Sequence, residues 1–340
     1  MPHEIARGTR NDAPDLQSPA KTHNWRQTGR CALAEDIPFD RTFDLAPGVA
    51  QECGQPGGLS VRRVLCNNPS PFTFKGTVSY VVGRGKVAIV DPGPDDPAHL
   101  EALLDAVKGE TVTHIFVTHT HRDHSPNTPA LKAATGAIVL AEGPHRHARP
   151  LNIGEHKPLD ASGDVNFMPD RRLTDGEIVQ GDGWAIEAIA TPGHCANHMA
   201  YALAGTGMLF VGDHVMKWAT SIVAPPDGAM SDYMASLEKL AHRTEQVYFP
   251  GHGREIDNAP AFVAHYIAHR HAREASILHR LAKGEADIPT IVRAVYIGID
   301  PRLVGAAGLS TLAHMEDLVA RGKVATDGAP SVAGTYRLAG

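Results

Sequence analysis

Short apolar runs alternate with amphipathic stretches along most of this 340-residue chain, and nearly every run stops at Gly, His or Asp. "SYVVG" and "KVAIVD" meet at the Arg84-Gly85 turn. "HIFVT", "AIVLA", "WAIEAIAT", "MAYALAG", "MLFVGD" and "VYFPGHG" follow. Between them "DDPAHLEALLDAVKG", "TPALKAATG" and "SDYMASLEKLAHR" carry apolar residues at helical spacing. Strands too short to span a membrane, separated by helices, need an α/β arrangement in which helices cover a sheet.

The residues at the ends of these strands carry the chemistry. "VTHTHRDHSP" places His119, His121, Asp123 and His124 directly after "HIFV". His194 follows "AIATPG", Asp213 follows "MLFVG" and His252 follows "VYFPG". Strand ends on one edge of a sheet converge, so these side chains can share a pocket. Imidazoles and carboxylates suit divalent ions of borderline character, zinc first, with iron or manganese as alternatives. Seven such groups are too many for one tetrahedral ion. The count predicts two ions, one bridging carboxylate, and a water or hydroxide at the shared position, where a metal makes it a nucleophile at neutral pH.

Other residues flank this set. His198, four positions after His194, is expected either to hydrogen-bond a substrate oxyanion or orient a ligand, or to cap the next strand. Asp91 in "IVDPG" reads as an acceptor for a ligating His or as a turn cap. Between Gly143 and Asp175 the periodicity is lost, and a loop of this length is a lid, a binding loop or a disordered segment. His145, His147 and His156 lie in it with Arg146, Arg149, Arg171 and Arg172, which reads as a cationic lid or as a solvated loop. No ligand to the two ions is expected there.

Composition sets limits. The 42% hydrophobic content is that of a globular protein, and the formal net charge of -6 gives no bulk attraction to nucleic acid or acidic membranes. No apolar run approaches the roughly 20 residues of a membrane helix, and "MPHEIARGTRNDAPDLQSPAK" lacks the apolar core of a secretory signal. Cys31, Cys53, Cys66 and Cys195 lack paired spacing, so reduced thiols and a cytoplasmic location are expected.

The set "THTHRDH", "TPGHCANH", "VGDH" and "FPGHG" resembles the metallo-beta-lactamase superfamily. The resemblance implies a four-layer αββα sandwich with metals at one sheet edge. By position, His119, His121 and His194 would hold the first ion, and Asp123, His124 and His252 the second, with Asp213 bridging. Asp123 and His198 would be the residues closest to catalysis. "NPSPFTFKGTVSYVVG", "HYIAHRHAREASIL" and "HMEDLVARGKV" resemble the beta-lactamase-like group that includes a single-strand endoribonuclease and ends in a winged-helix module. The expected organisation is a polar arm over 1–42, a hydrolase domain over 43–257, and a linker helix with a winged-helix-like module over 258–340.

The activity implied is hydrolysis of an ester, thioester, lactone or phosphodiester by a metal-bridging hydroxide, including cleavage of single-stranded RNA. The alternative is a small-molecule thioesterase or lactonase of glyoxalase II type. A di-iron redox protein and a metal-binding DNA regulator are further readings. From Arg254 to Gly340 there are 10 Lys/Arg against 9 Asp/Glu, which gives the C-terminal module no basic excess for nucleic acid. Its apolar Leu278, Leu281, Ile291, Val292, Leu312 and Leu318 recur at helical spacing, which suits packing against a neighbour, including a second copy in a homodimer.

Overall fold

The computed structural model describes residues 37–54, 58–152 and 163–340. Most of the arm expected over 1–42, together with His156 and Cys31, lies outside the described residues.

One sheet runs in the spatial order β1 (Ala50–Gly54), β2 (Val61–Leu65), β3 (Val78–Val82), β4 (Lys86–Val90), β5 (Thr111–Phe116), β6 (Ile138–Ala141) and β7 (Arg171–Arg172). Its pairing is antiparallel up to β4 and parallel beyond. The second sheet contains β8 (Ile178–Gln180), β9 (Ala185–Ala190), β10 (Met199–Leu203), β11 (Met208–Gly212), β12 (Val247–Pro250) and β13 (Ile256–Asp257), in reverse spatial order. Only β11 and β12 pair in parallel there.

Side-chain alternation explains the layers. Val78, Tyr80 and Val82 of β3 meet Met199, Tyr201 and Leu203 of β10 in a core between the sheets. The intervening residues point outward. Val81 and Ile89 pack with Leu103 of α1 (Pro97–Ala106) and Leu131 of α2 (Thr128–Thr135). Ala200, Ala202 and Val211 pack with Tyr233 and Leu237 of α3 (Met230–Ala241) and with Phe262 and Tyr266 of α4 (Ala259–Leu281). Strands covered on both faces are apolar throughout, which is why they stand out in the sequence. The result is the αββα sandwich. The strands β1 and β2 are additional to those read from the sequence.

The last turns of α4 enter a separate core. Ile277 and Leu281 pack there with α5 (Ile288–Val295), α6 (Val304–Ala320) and a small sheet of β14 (Ala286–Asp287), β15 (Val324–Thr326) and β16 (Thr335–Leu338). Leu281, Ile291, Val292, Leu312 and Leu318 are buried within this module, and Leu278 packs against them. Their helical spacing is therefore satisfied by the module's own core, where each buried side chain contributes about 2 kcal/mol. The periodicity does not call for a second copy. The module also docks on the sandwich: Ala313 joins the α3–α4 core, and Arg149 pairs with Glu316 at 2.5 Å.

Candidate metal centre

The exits of β5, β11 and β12 and the starts of β3 and β10 are tied together at one edge of the sandwich. The backbone N–H of Met199 donates to Thr118 at 2.7 Å, that of Val78 to Gly251 at 2.8 Å, and that of Gly251 to Gly212 at 2.9 Å. Two glycines make this closeness feasible. A Cβ at Gly251 would stand 2.5 Å from Asp213 Oδ1 and from His124 Cε1. Gly212 has φ +49, and a Cβ there would lie 2.7 Å from His198 Nε2.

Two groups of side chains converge here. His121 Nδ1 lies 3.0 Å from both His119 Nε2 and His194 Nε2. His252 Nε2 lies 3.1 Å from Asp123 Oδ2, and His124 Nε2 lies 3.4 Å from the same oxygen. Asp213 stands between the groups. Its Oδ1 is 3.4 Å from His124 Nε2, while its Oδ2 is 3.2 Å from His252 Nε2 and 3.8 Å from His194 Nε2. All seven residues nominated from the sequence are thus brought together.

The outward ring nitrogens are held by the protein. His124 Nδ1 donates to Asp91 Oδ2 at 3.0 Å, His194 Nδ1 to the Ile222 carbonyl at 2.6 Å, and His252 Nδ1 to the Gly76 carbonyl at 3.1 Å. Thr118 Oγ1 donates to Asp91 and lies 3.0 Å from His119 Nδ1. With Nδ1 held outward, these four rings turn Nε2 inward. His121 is reversed: Nδ1 faces inward, and Nε2 lies 4.0 Å from Asp227 Oδ2. His124 Nε2 and Asp213 Oδ1 are buried without a hydrogen-bond partner.

Electrostatics separate the groups. Burial, reinforced by His194, pushes the His121 imidazole down to about 3. Burial and the neighbouring histidines hold His119 well below its ordinary value. These rings stay neutral, as ligands must. Burial opposes charge on His124 and His252 as well, but the Asp123 and Asp213 carboxylates overcome it. His124 is held well above its ordinary value and His252 is raised to about 10. That half of the site attracts positive charge, which a divalent ion supplies.

His198 is buried against the same edge. Its Nε2 accepts from the Asp213 backbone N–H at 3.2 Å, and its Nδ1 donates to Thr191 Oγ1 at 2.8 Å. Both nitrogens are occupied by the protein, so His198 acts on the position of Asp213 and offers no donor to a substrate oxyanion. Three of the four loop arginines are paired, Arg146 with Glu142 at 2.6 Å, Arg149 with Glu316, and Arg171 with Glu177, while Arg172 is exposed. Sequence reasoning passed over Asp227. It lies in "APPDG", which reads as a turn, yet it is 4% exposed and contacts His121, His145 and His147.

A cavity of about 1520 Å³ opens over the site. His121, Asp123, His194, Asp213 and His252 lie on its floor, and Leu309, Leu312 and Val332 of the C-terminal module line one wall.

The Metallo-beta-lactamase superfamily matches residues 72–252, and the Beta-lactamase associated winged helix domain matches residues 288–332. The Lactamase-like protein adaB of Aspergillus niger is 27% identical over 323 residues, 88% of this chain and 95% of that protein. The Beta-lactamase-like protein 2 homolog of Drosophila melanogaster is 30% identical over 276 residues, 78% of this chain and 89% of that protein. A beta-lactamase domain protein from Burkholderia ambifaria superposes with a TM-score of 0.72 at 21% identity, over 91% of this chain and 99% of that one. Among the described residues no helix is long and apolar enough to cross a membrane. The chain belongs to the metallo-beta-lactamase superfamily of metal-dependent hydrolases and carries that superfamily's associated winged-helix domain.

Proposed function

We propose that this protein is a dinuclear metal hydrolase acting on a carbonyl centre, an ester, thioester or lactone, attached to an apolar body. His119, His121 and His194 would hold one ion, and Asp123, His124 and His252 the other, with Asp213 between them. Zinc suits this nitrogen-rich set, with iron or manganese as alternatives. The fit rests on the inward ring nitrogens, the unpartnered His124 Nε2 and Asp213 Oδ1, and the Gly251 cradle that a side chain would fill. When bound, such ions acidify water and polarise the attacked oxygen. The protein's own residues do the rest. Asp91, Ile222 and Gly76 fix ring orientation, and His198 and Gly251 fix Asp213.

The observation that carries the substrate class is the cavity wall. Phe72, Met216, Ile222, Leu309, Leu312 and Val332 line it, whereas its cations are Arg122 and Arg302. Arg302 is engaged by Asp300 at 2.7 Å, and Arg122 donates to the Gly163 carbonyl at 3.3 Å. A polyanionic strand needs several cations for its phosphates. An acyl group needs apolar surface. Among the described residues Cys53 and Cys66, whose thiols burial pushes up to about 12, have no disulfide partner, which suits a cytoplasmic location.

The test is a matched screen of the metal-loaded protein on thioesters and lactones of graded apolar length and on labelled single-stranded RNA. kcat/KM should rise with apolar length, and RNA should remain intact. Efficient RNA cleavage abolished by Asp213→Ala would replace this reading with the endoribonuclease one.

A further inference from the structure

We propose a third divalent-metal site, formed by His145, His147 and Asp227 beside the dinuclear centre. Asp227 Oδ1 lies 2.5 Å from His147 Nδ1 and 3.7 Å from His145 Nε2. Ligand atoms about 2.1 Å from a tetrahedral zinc stand about 3.4 Å apart. The two observed separations bracket that value. Two imidazoles and one carboxylate form a common zinc-binding set with room for a further ligand.

An ordinary ion pair between His147 and Asp227 leaves too much unexplained. Asp227 Oδ2 and His145 Nε2 are both buried without a hydrogen-bond partner, and both side chains are 5% exposed. An unpaired buried polar atom costs about 1–3 kcal/mol. Thr120 Oγ1 donates to Asn197 Oδ1 at 3.3 Å, so it can accept from His145 Nδ1, 2.9 Å away. With its proton given to Thr120, His145 turns a lone pair toward a carboxylate oxygen. Two acceptors facing each other call for a cation between them.

The set is preorganised. The Ala148 N–H donates to the Pro226 carbonyl at 2.8 Å, joining the segment that carries both histidines to the one that carries Asp227. Asn197 Nδ2 donates to the Pro144 carbonyl at 3.2 Å, and Arg146 Nη2 to the Ala196 carbonyl at 2.9 Å. The nearby Arg146 is neutralised by Glu142. Asp227 lines the main cavity, so an ion there has a route in. Asp227 Oδ2 also lies 4.0 Å from His121 Nε2, so one carboxylate joins this site to the first ion's ligands.

The experiment counts zinc. Full-length protein, stripped with chelator, is titrated calorimetrically with zinc, and bound metal is measured by elemental mass spectrometry at defined free zinc. His145→Ala/His147→Ala should bind one equivalent fewer than wild type, with uptake of the others unchanged. His147→Gln keeps a donor for Asp227, and it should bind the last equivalent at least tenfold more weakly while its melting temperature stays the same. Equal uptake by all three proteins overturns the site, as does loss of more than one equivalent in the double variant. A wild-type count of two, with one lost in the double variant, supports this site and counts against the dinuclear reading.

Discussion

Asp91 holds His124 and Thr118 with one carboxylate. Its Oδ2 accepts from His124 Nδ1 at 3.0 Å and from Thr118 Oγ1 at 2.7 Å, and its Oδ1 accepts from the Thr118 N–H at 2.7 Å. The backbone is left-handed at Asp91, with φ +53, a conformation rare outside glycine and kept here by these three bonds. Asp91→Asn sets an amide donor against two donors. We expect second-ion affinity to fall about 10–100-fold in that variant. Metal titration of the folded variant checks this, and unchanged affinity would show that His124 needs no such partner.

Asp213→Ala removes the carboxylate between the two histidine groups. The dinuclear centre should then hold one ion or fewer in place of two, and turnover should fall by more than about 10²-fold. Gly251→Ala should do nearly as much, because the new Cβ would fall 2.5 Å from Asp213 Oδ1. Elemental analysis alongside kcat measures both. A Gly251→Ala protein with full activity would show that the edge can spread.

Ala306 lines the cavity from α6, far in sequence from any proposed ligand. Ala306→Trp should raise KM for long apolar substrates about tenfold, as the loss of about 1.4 kcal/mol of binding would. Metal content and kcat for the smallest substrate should not change. A uniform fall in kcat across substrates would instead tie the module to the chemistry.

Burial holds the His99 imidazole down at about 4, with Ser79 Oγ 2.8 Å from its Nε2. Burial also lowers His269 to about 3, aided by Arg270 and Arg273. The unfolded chain protonates such rings near their ordinary value, so it takes up protons before the folded state does. Stability is therefore complete above about pH 6.5 and declines as pH falls toward 4, with about 3 kcal/mol at stake for His99. Melting temperature measured from pH 7.5 to 4.5 should drop, and His99→Gln should flatten the slope. An unchanged slope in that variant would place the acid sensitivity elsewhere.

Much of the sandwich could be read directly, because strands covered on both faces, such as "VSYVV" and "MAYAL", are apolar at every position. The strands "AQECG" and "VRRVL" could not, since their charged residues broke the signal. Arg62 is buried but pairs with Glu110, a partner 48 positions away. The seven His and Asp residues were legible because each follows its strand directly. Asp227 was not, since only tertiary structure brings the "APPDG" turn to His121. The loop arginines suggested free positive charge for the same reason. Arg149's partner, Glu316, is 167 positions away.

The cavity floor comes from the sandwich, while Leu309, Leu312 and Val332 on its wall come from the winged-helix domain. On the proposed reading, part of the substrate-facing wall is thus encoded apart from the reacting floor. If that reading holds, exchanging the segment corresponding to residues 288–332 between homologues should shift substrate preference while leaving the metal site intact. Such a chimaera offers a direct route to retargeting the scaffold.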